Sequence, residues 1–600
     1  MPFFNSRKSY SVRLLALITA ALLFAAAAPV DLRADTTLDS GTTTVTTGTD
    51  FVGNLIVGSS GTAALEILVG GSAANGNCYL GYNAGSNGTA TVSGGTWANG
   101  GALVVGYDGV GTLNLDSGLV TSNGFIVGYG TASYGIATVS SGRWENNGNL
   151  FVGSWGTGDL VVNGGSVFGG GGGSWIAFLA RSHGSLTVSS GTWDSLDLVV
   201  GSQGNGSLIV NGGYVTNFYG TYLGGGSEAN GTAIVSSGTW ATSGYLYFGI
   251  SGTGVLNLSG GSVTSGSAFL GYDARFPSST GLAVVTGGTW TNSSDLYVGV
   301  DDFASSTGTL AMSGGLVTVG GSLSKGSLGT INLNAGGTLQ IGMGGTTGVL
   351  GVATLTNNGT LIFNRSDAYT YSGVLSGSGA VTKQGAGQLT FGGANFYTGL
   401  TTIAGGTLAL SGSGSIGTGG LSLGTGGVFD ITALTSGTYL LPATGNLTGA
   451  GTLEGNGHTL AVLGSFLPGS STGTVTVGAG LTLDLTNSGS SMFQIADPSY
   501  TAGTFDLVNG NGSVIFGGVL NLNFSGGTYA DGTDVLRLFT NTGGLSGGFS
   551  AVNYTGLSAG QSATFNPATG FISLVPEPSA FVSLAAGFVF ACWRVARHRS

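Results

Sequence analysis

The chain has 600 residues, of which 121 are Gly and only 9 Pro, with Lys and Arg totalling 14 against 25 Asp and Glu. A charged share of 6% is about a quarter of the ordinary globular figure, and neither the Pro content nor the Gly spacing suits collagen. The acidic balance excludes a basic nucleic-acid footprint.

Hydrophobic residues make up 41%, and Thr, Ser, Asn and Gly fill most of the rest. That is the vocabulary of short strands and tight turns, and it predicts an all-β fold. Cys78 and Cys592 lie too far apart in sequence to suggest a disulfide framework or a metal spacing, and Cys78 reads as a small buried hydrophobe.

At the N-terminus, Arg7, Lys8 and Arg13 precede an apolar stretch over 14–28. This is the pattern of a secretory signal peptide over residues 1–34, with cleavage expected after Ala34, and its apolar run is short for a permanent span. The Sec translocon and signal peptidase are the partners it implies. Outside the termini, 23 acids face 7 bases over residues 35–575, about −16.

The body over 35–345 is repetitive. TVSGGTW ends at Trp97, TVSSGRW at Trp144, TVSSGTW at Trp193, IVSSGTW at Trp240 and VVTGGTW at Trp290, at spacings of 47, 49, 47 and 50. Weaker cousins fall between them, ending at Val120, Val167, Val215 and Val263, and the series continues to Val317 and Leu339. The period is therefore 22–27 residues.

Each period holds three strands: one closing on Gly, such as ALVVG (102–106), an alternating one such as GTLNL (111–115), and one carrying Trp or Val. This predicts a long right-handed parallel β-solenoid of about 12 coils, roughly 60 Å in length, whose coils bury their inner faces by stacking. Rungs about 4.8 Å apart crowd successive indoles, so Val between Trp positions spaces the rings. The Trp column reads as a packing ladder. The alternative is an exposed row at Trp97, Trp144, Trp193, Trp240 and Trp290 that stacks on sugar rings.

Beyond Thr346 the Trp motif stops. In the region 346–415, GAGQLTFGGANFYTGLTTIAGGTLAL (385–410) closely resembles the autotransporter-associated β-strand repeat. The likeness covers about 35 residues around Val374–Gly412, through Asn395, Tyr397, Thr398 and Gly399, the strand Thr401–Thr402–Ile403 and the start Gly405–Gly406–Thr407–Leu408. It implies a solenoid that extends outward from a cell and implies no reaction. Residues 416–574 alternate less regularly and are expected to form a C-terminal β-region or cap.

A solenoid can also carry a polysaccharide lyase or glycosidase, which needs carboxylates close together. The nearest sets are Asp194 with Asp197, Asp301 with Asp302, and Asp531 with Asp534; Asp108 and Asp273 share a turn type but lie about seven coils apart. Asp301–Asp302 reads as a solvated corner, and Asp531–Asp534 as a hairpin turn with a weak calcium signature. His183, His458 and His598 fall in unrelated contexts, the serines sit in SGG and SSG turns, and GGGGG (169–173) lacks the Lys and helix of a phosphate loop. No catalytic residue, metal or cofactor is expected.

The chain closes on Val575, Pro576, Glu577, Pro578 and Ser579, an apolar run from Ala580 to Trp593, and the bases Arg594, Arg597 and Arg599. Two prolines hold a segment extended and out of a helix, and Ser579 suits the N-cap of a short transmembrane helix. Fourteen apolar residues span about 21 Å, so Arg594 must snorkel. The three parts over 575–600 resemble the PEP-CTERM sorting signal, which implies processing by an exosortase of a Gram-negative bacterium.

Together these features predict a non-catalytic, exported solenoid. It would be tethered transiently in the inner membrane and end at the cell surface or in the extracellular matrix, with exopolysaccharide or other surface proteins as partners and no nucleic acid. A self-translocating autotransporter is disfavoured, because residues 416–574 are too few and too Gly-rich for its barrel.

Overall fold

A computed structural model describes residues 35–576, apart from 52, 170, 273–278, 301–305 and 470. It divides into two compact units, one running to Met343 with Thr347–Val352, the other comprising Gly344–Thr346 and the residues from Ala353 onward. Both are parallel β-solenoids, about 18 turns between them, and no helix occurs among the described residues.

In the first unit each coil pairs in parallel with the next. Leu103–Val105 pairs with Cys78–Leu80 on one side and Phe125–Val127 on the other; Val110–Leu115 lies between Asn87–Val92 and Tyr134–Val139. The third column runs Ala73, Trp97, Val120, Trp144, Val167, Trp193, Val215, Trp240, Val263, Trp290, Val317, Leu339, each in register with the next. The Trp and Val motifs are thus neighbours on one inner face, as the doubled period requires.

Alternation sets what is buried. In Asn87–Asn99 the inward Ala90, Val92 and Trp97 are 1% exposed or less, while Thr89 and Thr91 point outward. Second and third strands merge in several coils, as in Val110–Ser122, where the expected turn survives only as register shifts around Ser117. Hydrogen bonding continues through this bend because glycine bends the chain without leaving the ladder: Gly118 has φ +96, and a Cβ there would lie 2.1 Å from Gly95 O.

The corner after the first strand is tighter. Gly153 and Gly201 hold φ near +70 there, and the equivalent corner between them is Ala177 at φ 57, fully buried.

The second unit opens on a shorter step. Ala380–Gln384 pairs with Thr360–Asn364, then Thr401–Ile403 with Val381–Lys383 and Leu421–Leu423. A five-stranded parallel sheet runs through Thr438–Leu441, Thr459–Val462, Thr482–Asp484, Ser513–Phe516 and Leu545–Gly547. The region over 416–574 continues the parallel ladder on unequal steps, from Leu447 to Phe466, then Ser491, Leu520 and Val552. It ends in an antiparallel sheet of Gly532–Arg537, Phe571–Pro576 and Gln561–Asn566, with Phe571–Pro576 central.

The segment expected to be extended from Val575 onward begins inside that sheet: Val575 pairs with Ser562 and Pro576 with Gln561. Glu577, Pro578, Ser579, the Ala580–Trp593 helix and Arg594, Arg597 and Arg599 lie outside the described residues. No helix among the described residues is long and apolar enough to cross a membrane.

Candidate functional site

Burial of the Trp column favours its reading as a packing ladder and counts against the sugar-stacking alternative. Trp97, Trp144, Trp193, Trp240 and Trp290 are each 0 or 1% exposed and face the solenoid interior. Alternation from the neighbouring outward residues dictates this, since Thr96 and Ala98 flank Trp97 on the solvent side.

A polar column two residues on accompanies the indoles. Trp97 Nε1 donates to Asn75 Oδ1 at 2.7 Å, Trp144 Nε1 to Ser122 Oγ at 3.3 Å, Trp193 Nε1 to Ser195 Oγ at 3.3 Å and Trp240 Nε1 to Asn217 Oδ1 at 3.1 Å. The acceptors are themselves linked: Asn75 Nδ2 donates to Asn99 Oδ1, Ser122 Oγ to Asn146 Oδ1 and Asn217 Nδ2 to Ser195 Oγ. A buried indole N–H needs such a partner. The signal was present in TWAN, LVTS, RWEN, TWDS and YVTN, where a small polar residue follows two places after Trp or Val.

Outward aromatic residues occupy the first strand instead. Ile126, Phe151, Trp175, Val199, Tyr222, Tyr247, Phe269 and Tyr297 form one register column. Beyond the corner, Tyr82, Tyr107 and Tyr129 form a second. The rings stack along the axis: Tyr82–Tyr107 at 4.9 Å and 12°, Phe151–Trp175 at 5.0 Å and 16°, Tyr222–Tyr247 at 5.3 Å and 3°, Phe269–Tyr297 at 4.8 Å and 9°. Stacking consumes the ring faces and leaves edges outward, so this strip holds the coils together and offers little face for a ligand ring. Trp175, outward by register, is only 2% exposed beneath Phe151, Phe178 and Val199. Burial pushes the Tyr79 phenol up to about 12, with Tyr107 adding to it.

The candidate acids among the described residues engage local partners. Asp194 accepts from Thr216 Oγ1 at 2.7 Å on an outer face, and Asp531 accepts from Gln561 Nε2 at 2.7 Å. Asp534 holds φ 51 in a turn, and its N–H donates to Ser573 Oγ. Asp273, Asp301 and Asp302 lie outside the described residues. His183 meets Asn205, while His458 contacts the backbone at Asn456 and Leu434. Among the described residues no group of three or more His, Cys, Asp or Glu could hold a metal. Cys78 is fully buried, which pushes its thiol up.

In the second unit the residues singled out around 395–408 explain themselves as corner chemistry. Asn395 Oδ1 accepts from Leu375 N at 2.8 Å and its Nδ2 donates to Ser415 O at 2.7 Å, tying the coils on both sides. Tyr397 is fully buried and shares a 2.7 Å hydrogen bond with Thr401 Oγ1. At Gly399 a Cβ would lie 2.1 Å from Gly379 O. The sequence reading missed Lys383: 2% exposed, it donates to the carbonyls of Gln384, Gly385 and Gly405 at 2.8, 2.9 and 3.2 Å. Burial pulls this amine down to about 8.

This is the stretch that matches a known family model. Residues 381–410 match the passenger-associated-transport-repeat. Over 218 residues, 33% of this chain, the sequence is 30% identical to the adhesin BmaC autotransporter of Brucella suis biovar 1 (strain 1330). That alignment spans 5% of the adhesin's own length. The chain thus carries an autotransporter-associated repeat on a parallel β-solenoid.

Proposed function

We propose that the chain is a non-catalytic passenger-type solenoid of a Gram-negative cell surface, acting in adhesion or as a component of the extracellular matrix. The observation that carries this reading is the passenger-associated repeat at 381–410, built into a parallel ladder by Asn395, Tyr397 and Lys383. The likeness to an autotransporter adhesin supports it.

Delivery by an exosortase is the finer part of the proposal and rests on the ending VPEPS, an apolar run and three arginines. Exopolysaccharide or other surface proteins are the partners this role calls for. Two measurements test the reading. Attachment of cells with and without the gene tests adhesion, and equal attachment overturns it. Fractionation with and without exosortase, with mass spectrometry of the C-terminus, tests sorting; a mature protein retaining Arg594–Ser600 in normal cells overturns it.

A further inference from the structure

Four exposed aromatic residues of the first unit gather within three successive coils, Phe168 on the first and Tyr214, Phe218 and Tyr219 on the third. Phe168 is 40% exposed, Tyr214 46%, Phe218 61% and Tyr219 49%. Phe168, Asp194 and Thr216 are consecutive partners in one outward column of the third face; Ser166, Thr192 and Tyr214 form the column beside it. Phe218 and Tyr219 follow immediately at the corner, where Ser195 pairs with Asn217 and Asp197 with Gly220. Phe218 and Tyr219 meet edge to face at 4.9 Å and 83°, so in contrast to the stacked strip they leave ring faces open.

At about 4.8 Å per coil the patch extends roughly 10 Å along the axis, with Asp194 and Thr216 framed by rings. It is chemically one-sided. Asp194 and Asp197 are its charges, and no Lys or Arg occurs in Thr157–Phe168, His183–Val200 or Asn205–Leu223; Arg143, one coil before in register with Ser166, is paired with Glu145. The aromatic residues are interleaved with hydroxyl and carboxylate acceptors, which departs from the continuous apolar core of a stable protein interface.

We infer that this patch is a docking site for a neutral glycan. The open faces of Phe218 and Tyr214 meet the C–H faces of pyranose rings, while Asp194, Thr192 and Thr216 take the equatorial hydroxyls. The two carboxylates repel uronate or sulfated chains. Rigid aromatic rings on a fixed sheet lose little entropy on binding. The inference rests on the surface-adhesive reading and supplies its ligand class.

The test titrates the full chain with hexamers of β-1,4-linked glucose and β-1,4-linked N-acetylglucosamine, with polygalacturonate as the anionic control, by calorimetry. Saturable binding to a neutral hexamer is expected, weakened about tenfold in F218A/Y219A and retained in Y134F, a tyrosine on the second face. Far-ultraviolet circular dichroism checks that the variants keep the fold. Four results overturn the site: no saturation by either hexamer, unchanged affinity in F218A/Y219A, equal binding of polygalacturonate, or a dimer in sedimentation that F218A/Y219A dissolves. Cell attachment that is unchanged by F218A/Y219A counts against this site alone, whereas attachment independent of the gene counts against the adhesive reading.

Discussion

Trp97 Nε1 donates to Asn75 Oδ1 across 2.7 Å, from one coil back to the one before it, with both side chains buried. Asn75 belongs to the column that the Ala73–Trp97 register places two residues on, and its amide continues to Asn99. An indole ladder and an amide ladder therefore run side by side inside the first unit, each supplying what the other lacks. Trp fills the volume, and Asn or Ser satisfies the N–H that comes with it.

That pairing makes the acceptor more costly to lose than its size suggests. At Asn217, Oδ1 accepts from both Trp240 Nε1 and Thr221 Oγ1, and Nδ2 donates to Ser195 Oγ. N217L removes one side of three buried hydrogen bonds and is expected to cost about 2–4 kcal/mol. Trp290 Nε1, by contrast, meets no acceptor among the described residues. W290F should then cost less than W240F, compared by the midpoint of urea unfolding. Equal costs would show that ring volume alone governs the column.

Burial of the ladder also fixes how the protein fluoresces. Trp155 is 47% exposed, while the five motif tryptophans are sealed. In a chain carrying W593F, acrylamide should quench a minor fraction of the emission, and W155F should remove most of that fraction. Efficient quenching that persists in W155F would put the motif indoles on the surface.

The three-strand coil and its period were legible because Gly corners and alternating residues repeat in every copy of the motif. The inward aim of Trp97 was harder to read, since a period of two leaves the choice of face open until the neighbouring strands are in place. Lys383 escapes a motif search for another reason. Its partners are backbone carbonyls, which carry no residue identity. The aromatic patch at Phe168, Tyr214, Phe218 and Tyr219 joins residues from different coils, so only the register reveals it.

One corner breaks the glycine rule and should respond to its restoration. Ala177 holds φ 57 where Gly153 and Gly201 stand in adjacent coils. A non-glycine residue in the left-handed region costs about 1 kcal/mol, partly offset by the greater freedom of glycine in the unfolded chain. A177G is expected to raise the thermal midpoint modestly, whereas A177V, with a branched side chain at a fully buried site, should lower it sharply. A fall in stability for A177G would mean that the methyl packing outweighs the strain.

Lys383 offers a local readout. Its ammonium group holds three carbonyls of two coils, and K383M keeps the length of the side chain while removing every donor. Losing hydrogen bonds from a charged donor costs about 2 kcal/mol, less whatever is regained by no longer burying a charge. Hydrogen exchange should quicken at 381–384 and 401–405 and stay unchanged in the first unit. Unaltered protection at these strands would reduce Lys383 to a space-filling role.

Asp506 sets a pH dependence whose sign is specific. It is 1% exposed; its Oδ1 accepts from Gly473 N and its Oδ2 from Gln494 N, both at 2.7 Å. Burial raises it from 3.8 to about 7, against the two N–H donors that pull downward. Because the folded state holds the proton more tightly than the unfolded chain, this group's contribution to stability is complete below the unfolded value. It declines from about pH 4 and is lost as pH rises through about 7. D506N stays neutral throughout and keeps one acceptor oxygen, so its stability should vary less over that range even though its absolute value is lower. The check is the difference between the two thermal midpoints at a series of pH values, since other titrating groups cancel. A wild-type advantage over D506N that grows from pH 4 to 7 would reverse the assignment, marking Asp506 as a stabilising carboxylate held by its two backbone donors.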